Sequence, residues 1–179
     1  FGALALICVN PAVLSQTQTN ETPGLAELQK GDYDNASKLL SARLVSNPND
    51  VVAQKALLRV YIETGRYLEA EATAKRFLTK TPDTGTVRHE LGEALAAIGK
   101  YTEAIAEFER AATDSQKSNA PHEKLASDLR RAEVLELTGQ DDRAREIYGT
   151  FVKYYTDNDP GSAFELTLIA RALVHLERV

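Results

Sequence analysis

Gly99-Lys100-Tyr101-Thr102-Glu103-Ala104 is the stretch that decides the fold of this 179-residue chain. Its pattern, Gly-x-Tyr-x-x-Ala, also occurs at residues 31–36 and 65–70, and a weaker copy begins at Gly139. The tyrosines of the three clear copies follow one another at intervals of 34 residues. A fixed period of this length is typical of a solenoid, in which each unit buries its apolar face against its neighbours.

Apolar residues recur at helical spacing on both sides of each turn, which predicts two helices per unit. Thr22 followed by Pro23 is typical of a helix start, and the glycine of each turn is expected to end a helix in the left-handed conformation. Pro48 and Pro82 lie in turn sequences that end helices. In chain order, the pattern predicts helices over 23–30 and 33–46, a pair in the unit 51–84, a pair in the unit from residue 85, and helices over 121–138, 142–155 and 162–179.

Composition is that of a folded, soluble protein rather than a disordered one, with 43% hydrophobic and 26% charged residues. The net charge of −5 argues against nucleic acid as a partner, because nucleic-acid binding needs a basic patch. Cys8 is the only cysteine, so no disulfide framework is expected.

Residues 1–15 form an apolar segment that resembles the hydrophobic and cleavage regions of a signal peptide. The chain begins with Phe1 and has no Met, so we expect the basic start of that peptide to be missing. A buried strand and the end of a membrane anchor are the alternatives; the apolar run is too short to span a bilayer alone. We therefore expect export to the periplasm or outside the cell, with anchoring to the membrane if the segment is not cleaved. Residues 16–22 are a polar linker, and the repeat domain follows over 23–179.

Two units carry a series of residues that resembles the tetratricopeptide repeat, a helix-turn-helix unit of 34 residues. The matching residues of unit two are Leu57, Leu58, Tyr61, Gly65, Tyr67, Ala70, Ala74, Phe77 and Pro82. Those of unit three are Leu91, Gly92, Leu95, Gly99, Tyr101, Ala104, Phe108 and Ala111. The resemblance implies an all-α, right-handed α-solenoid of about four repeats plus the first helix of a fifth.

Residues at positions 8 and 20 of the family's repeat are expected to be small, because its two helices cross closely there. The pairs are Gly24 with Ala36, Gly92 with Ala104, and Ala132 with Ala144, whereas Leu58 against Ala70 departs from the pattern. Three further departures are the exchanged large and small residues Ala74 and Phe77, the charged Arg43 at an interior position of unit one, and Asp141 in place of the turn tyrosine of unit four.

The resemblance also implies that the first helix of each unit lines a concave groove. The candidate groove residues are Lys55, Arg59, Ile62, Glu63, His89, Glu93, Leu129, Glu133, Glu136, Thr167, Arg171 and His175. Their mixed charge and apolar patches favour a peptide or an extended protein segment over a polyanion. The alternative interpretation is that these residues are merely solvated helix faces.

Other sites of the family and of enzymes are not predicted. A clamp for a peptide's terminal carboxylate needs an Asn and a Lys where Glu90 and Ala126 stand, which leaves only a degenerate version around Arg59 and Arg130. Glu93 occupies the place of the second His in a zinc-protease motif that begins at His89.

We accordingly expect no cofactor and no metal, because the histidines His89, His122 and His175 lie on three different helices. The aromatic residues of helix 142–155 are expected to pack between units, with a docking site as the alternative. They are Tyr148, Phe151, Tyr154 and Tyr155.

The sequence thus predicts an exported, non-catalytic scaffold that binds a protein or peptide partner, without a stable membrane span. The alternative is the recruiting region of a larger exported enzyme, a peptidase or a transferase, whose catalytic part lies beyond Val179. A third hypothesis is self-association through the last helix, whose apolar face we expect to be uncovered.

Overall fold

The computed structural model describes residues 23–81 and 84–177, and within these ranges the chain forms helices and no strand. The helices are α1 (Leu25–Lys30), α2 (Tyr33–Ser46), α3 (Val51–Glu63), α4 (Tyr67–Leu78), α5 (Gly85–Ala97), α6 (Tyr101–Lys117), α7 (Pro121–Leu137), α8 (Asp141–Asn158) and α9 (Ala163–Leu176). The predicted all-α class is confirmed. The predictions for residues 1–22 lie outside the described residues.

The turn glycines adopt the conformation that the sequence pattern requires. Gly31, Gly65, Gly99 and Gly139 all have a positive φ, between 72° and 79°. An added Cβ at each of them would meet no neighbouring atom within 4 Å, so backbone conformation rather than space selects glycine there. These residues end one helix and allow the next to begin two residues later.

Four helices differ from their predicted bounds: α7 ends at Leu137, α9 spans Ala163–Leu176, and α1 and α8 differ as follows. Helix α1 begins at Leu25 rather than at residue 23, because Gly24, with φ 96°, precedes it as the N-cap. Helix α8 is longer than 142–155: it begins with Asp141 and Asp142, whose carboxylates suit the positive end of a helix dipole. Asp159, in the left-handed conformation, follows its last residue.

First and second helices form two layers that bend the stack. Successive first helices are in contact: α1 with α3, α3 with α5, α5 with α7, and α7 with α9. Within the described ranges, no such contact joins successive second helices α2, α4, α6 and α8. The closer spacing of the first helices places them on the inner, concave face of the solenoid.

A continuous core runs between the layers from α3 to α9, and a smaller cluster joins α2 to α3. Phe108, Tyr148 and Phe151 are fully buried and contribute the largest side chains. Tyr154 packs against the main core from a partly buried position, whereas Tyr155 is 53% exposed. The prediction that most aromatic residues of α8 pack between units is confirmed.

In units one and three, position 8 also meets the large residue at position 24 of the second helix. A Cβ on Gly92 would lie 2.7–2.9 Å from ring atoms of Phe108, at position 24 of the repeat, and Ala104 is not among its three nearest neighbours. A Cβ on Gly24 would lie 2.7 Å from Leu40, also at position 24, with the carbonyl oxygen of Ala36 at 3.1 Å. The space left by the glycine is filled by the large residue one turn further along the second helix.

This pairing explains the departure at Leu58. Leu58 is fully buried in the same cluster as Ala74, which occupies position 24 of unit two. Unit two therefore places the large side chain on the first helix and the small one on the second, the reverse of Gly92 and Phe108. One large and one small side chain still meet at the crossing, so its volume is kept. The small Ala74 at position 24 compensates for the large Leu58 at position 8.

The charge of Arg43 is neutralised by an ion pair with Asp50, the residue just before α3. Its Nε lies 2.5 Å from Oδ2 of Asp50, and Oδ1 of Asp50 accepts a hydrogen bond at 3.0 Å from the backbone N–H of Ala53 at the start of α3. Arg43 thus ties the end of α2 to the N-cap of α3.

Candidate functional site

A cavity of about 490 Å³ opens on the inner face and is lined by all four first helices from α3 to α9. We call it the inner groove. Its lining residues are Lys55 and Arg59 from α3, Thr86, His89, Glu90 and Glu93 from α5, His122, Glu123, Ala126, Leu129 and Arg130 from α7, and Phe164, Leu168 and Arg171 from α9.

Half of the predicted groove residues line this cavity: Lys55, Arg59, His89, Glu93, Leu129 and Arg171. Leu129 is only 1% exposed and offers almost no surface. Ile62, Glu63, Glu133, Glu136, Thr167 and His175 are not among its lining residues. Thr167 and His175 border a second, more open cavity on α9, which Arg171 also lines. That any of these residues binds a ligand remains a prediction.

Paired charges cross the groove from helix to helix. Arg130 of α7 donates two hydrogen bonds to Glu93 of α5, from Nε at 2.6 Å and from Nη2 at 2.9 Å. Arg130 also pairs with Glu133, which pairs in turn with Arg171 of α9. Burial opposes the charge of Arg130, but the two carboxylates outweigh it and raise its pKa.

The same arrangement continues with reversed charge between α3 and α5. Nη1 of Arg59 lies 3.8 Å from Oε2 of Glu90, and its Nη2 donates a hydrogen bond to Glu63 at 2.8 Å. We call the full set the ion-pair ladder: Arg59, Glu90, Glu93, Arg130, Glu133 and Arg171. The groove prediction omitted Glu90 and Arg130, at position 6 of their units, although each opposes an unlike charge at position 9 of the preceding unit.

Glu136 and His175 belong to a cluster that joins the last three helices. The Nδ1 atom of His175 lies 2.7 Å from Oε2 of Glu136, and the hydroxyl of Tyr148 donates to the same oxygen at 2.9 Å. The rings of Tyr148 and His175 stack at 5.4 Å. Burial and the neighbouring carboxylate of Glu136 raise the pKa of Tyr148, so the phenol stays a donor. These contacts give both predicted groove residues a structural role.

His89 is a neutral side chain in the groove wall. Burial lowers its pKa to about 4, against a smaller opposing effect of Glu93. Nδ1 of His89 lies 3.0 Å from the hydroxyl of Ser127, whose own proton goes to the backbone carbonyl of Glu123 at 2.9 Å. The oxygen of Ser127 is thus free to accept from Nδ1 of His89, and Nε2 lies 3.6 Å from Oε1 of Glu93.

Glu90 is the most unusual group of the groove. It is 1% exposed, and its Oε2 is buried without a hydrogen-bond partner in the described part of the chain. Burial raises its pKa to about 7, although the charges of Arg59 and Lys55 oppose this. Oγ1 of Thr86, one turn earlier on α5, is also buried without a partner among the described residues.

The described residues show neither a metal-binding cluster nor a free pair of cations for a carboxylate clamp. Within residues 23–81 and 84–177, no cluster of three or more His, Cys, Asp or Glu side chains is arranged to hold a metal ion. Arg59 and Arg130, the remaining pair for a carboxylate clamp, already face carboxylates of the chain itself. None of the described helices combines the length and apolar character that crossing a membrane requires.

A sequence model of the family described as tetratricopeptide repeat matches residues 24–84, 55–121 and 90–163. A comparison with curated proteins gave no match. Among solved structures, a crystal structure of MamA is 20% identical, covers 87% of this chain and 95% of its own, and superposes with a TM-score of 0.59.

Two further structures are as similar in fold. MamA from Desulfovibrio magneticus RS-1 is 17% identical over 76% of this chain and 74% of its own, with a TM-score of 0.64. TTC0263, a thermophilic TPR protein from Thermus thermophilus, is 22% identical over 87% of this chain and 80% of its own, with a TM-score of 0.64. At these identities the likeness shows the fold alone.

Proposed function

Because the chain belongs to the tetratricopeptide repeat family, whose repeats form protein-interaction scaffolds, we propose that its inner groove binds an extended segment of a protein partner. The observation that carries the proposal is one cavity lined by four successive first helices. No single unit forms this cavity, so its shape depends on the stack. A partner that spans it would contact every repeat from α3 to α9.

The span of the groove sets the length of the bound segment. Packed helices lie about 8–10 Å apart, so four first helices cover about 24–30 Å. An extended chain advances about 3.3 Å per residue, which corresponds to roughly seven to nine residues. A segment of this length is a short linear motif rather than a folded domain.

The two ends of the groove differ in chemistry. Lys55 and Arg59 make the α3 end polar, whereas the α9 end combines the apolar ring of Phe164, 52% exposed, with the cation of Arg171. The cations of the ion-pair ladder already face carboxylates, so a polyanion would have to compete with them. A segment with a polar end and an apolar side chain at the other end suits both walls.

The proposal is tested by selecting peptides from a random library on the immobilised chain and mapping their contacts by NMR. Bound peptides should shift the backbone amide signals of α3, α5, α7 and α9. The signals of α2, α4, α6 and α8 are the internal control and should move little. Shifts confined to the second helices would place binding on the outer face and refute the proposal.

Self-association is a second candidate, favoured by the exposed apolar face of α9. Leu166, Leu173 and Val174 are 41–49% exposed on the last described helix. Burying them against a second copy would remove apolar surface from water. Sedimentation equilibrium should then show a mass that rises with concentration, and Leu173→Glu should abolish the rise; a constant monomer mass excludes it.

Export and the enzyme alternative rest on sequence alone. We propose that residues 1–15 direct export, which a fusion to an enzyme active only outside the cytoplasm would test. The alternative, a recruiting region for an exported peptidase or transferase, would use the same groove. The reading frame beyond Val179 discriminates between them: a catalytic motif there supports the enzyme, and further repeats support the scaffold.

A further inference from the structure

Two buried polar atoms without hydrogen-bond partners in the described part of the chain lie on one face of α5 in the inner groove. Oε2 of Glu90 and Oγ1 of Thr86 are both buried, and neither has a hydrogen-bond partner within the described ranges. The residues are four apart, which places them one above the other on the same helix face. Both line the inner groove. Buried polar groups are nearly always paired in folded proteins, so this site lacks a partner that a ligand would supply.

The charges around these atoms balance. Lys55 and Arg59 of α3 and Arg130 of α7 are positive, and Glu63, Glu90 and Glu93 are negative when ionised. Arg59 is hydrogen-bonded to Glu63 at 2.8 Å and lies 3.8 Å from Glu90. Lys55 is exposed and makes no ion pair with any described residue.

This balance disfavours a charged ligand at Thr86 and Glu90. A cation that approached Oε2 of Glu90 would be repelled by both Lys55 and Arg59. An anion would be repelled by the buried carboxylate of Glu90, where little water screens the interaction. An uncharged group that carries both a donor and an acceptor avoids either repulsion.

An amide has this chemistry. Its N–H donates to Oε2 of Glu90, and its C=O accepts from the hydroxyl of Thr86. We propose that Thr86 and Glu90 form a subsite of the inner groove that binds an uncharged amide of the partner segment. The inference rests on the proposed peptide-binding function and names one chemical group of the ligand. The amide comes either from an Asn or Gln side chain or from a main-chain peptide unit.

Four small probes with the same backbone and different side chains separate the possibilities. They are the N-acetyl, N′-methylamide derivatives of asparagine, aspartate, diaminobutyrate and alanine, titrated into the whole chain and followed by the NMR signals of α5. The asparagine probe should shift the signals of Thr86 and Glu90 and bind more tightly than the charged probes. If the alanine probe binds as tightly as the asparagine probe, the site takes main-chain amides. If the alanine probe binds more weakly, the site takes the side-chain amide of Asn or Gln. Tighter binding of either charged probe, or no shift from any probe at any soluble concentration, overturns the proposal.

Two substitutions that remove the polar atoms without removing bulk give the second test. Thr86→Val and Glu90→Leu should each weaken the asparagine probe about 3- to 10-fold, the usual worth of one hydrogen bond. Thr102→Val, at an exposed position of the second helix α6 outside the inner groove, is the matched control and should leave the affinity unchanged. Equal affinity in Thr86→Val, Glu90→Leu and the unsubstituted chain refutes the subsite.

The library peptides distinguish a failure of the subsite from a failure of the groove. Peptides that shift the first helices yet bind Thr86→Val and Glu90→Leu unchanged would overturn the subsite and leave the proposed function standing. Peptides that shift only the second helices would overturn the proposed function itself.

Discussion

Leucine at position 92 would test the packing rule that unites the helix pairs. A Cβ at Gly92 already lies 2.7–2.9 Å from the fully buried ring of Phe108, and Leu adds three more carbon atoms beyond it. Overpacking of this kind costs about 1–3 kcal/mol. Replacing a helical glycine stabilises the helix by about 1 kcal/mol, which offsets part of this cost. Because the ring of Phe108 has no exposed side toward which to move, we expect a net loss of about 2 kcal/mol in the free energy of unfolding.

The exchange seen in unit two supplies the decisive second variant. Phe108→Ala alone should cost about 3–5 kcal/mol, because it empties the space beside the glycine. Gly92→Leu combined with Phe108→Ala recreates the Leu58 and Ala74 arrangement, so the double variant should recover about 2–3 kcal/mol of the summed loss. Urea unfolding followed by circular dichroism measures all three.

Gly149 provides the matched control, since a Cβ there would meet no neighbouring atom within 4 Å. Gly149→Leu should leave stability unchanged or raise it by up to about 1 kcal/mol. Losses that simply add in the double variant of Gly92 and Phe108 would refute the pairing of positions 8 and 24.

Three further predictions concern Glu90, Arg130 and Tyr148. The folded chain raises the pKa of Glu90 from 4.5 to about 7, so it holds that proton more tightly than the unfolded chain, and its stability falls as pH rises between these values. Glu90→Gln should therefore raise the unfolding free energy at about pH 8 by up to about 3 kcal/mol and much less at about pH 5; equal effects at both pH values in urea unfolding would contradict this. Arg130→Met leaves Glu93 and Glu133 without their shared cation and should lower the thermal midpoint, with a loss of about 1–3 kcal/mol; an unchanged midpoint would mean that the ladder adds no stability. Tyr148→Phe removes one donor to Glu136 and should cost about 1 kcal/mol in the same assay, and a neutral result would contradict the hydrogen bond's contribution.

The fold was predictable because its signals are local. The 34-residue period and the turn glycines determine where helices end, and the boundaries of α2 match the predicted 33–46. Gly24 shows where local signals fail: its left-handed conformation delays the start of α1, and its close contact with Leu40 depends on the neighbouring helix. Sequence spacing identifies which residues at a crossing are small, but not which side chain fills the space.

The groove was predictable only in outline, because its chemistry depends on contacts between units. Counting repeat positions assigns a residue to a helix face but not to a partner, so the position-based list missed Arg130 and its two bonds to Glu93, 37 residues away. It also included Glu136 and His175, which instead hold the last helices together. The sequence shows Glu90 only as a mismatch to a carboxylate clamp. Its burial, and its Oε2 atom without a hydrogen-bond partner in the described chain, become visible only in the structure.

The most direct test of the proposed groove is to fill it. Ala126 lies in its wall on α7, whereas Ala72 is exposed on the second helix α4 and does not line it. Isothermal titration of one library-selected peptide should show that Ala126→Trp weakens binding at least about 10-fold, a change of about 1.4 kcal/mol, while Ala72→Trp binds like the unsubstituted chain. Equal affinity of the two tryptophan variants, with both folded, would contradict peptide binding in the inner groove.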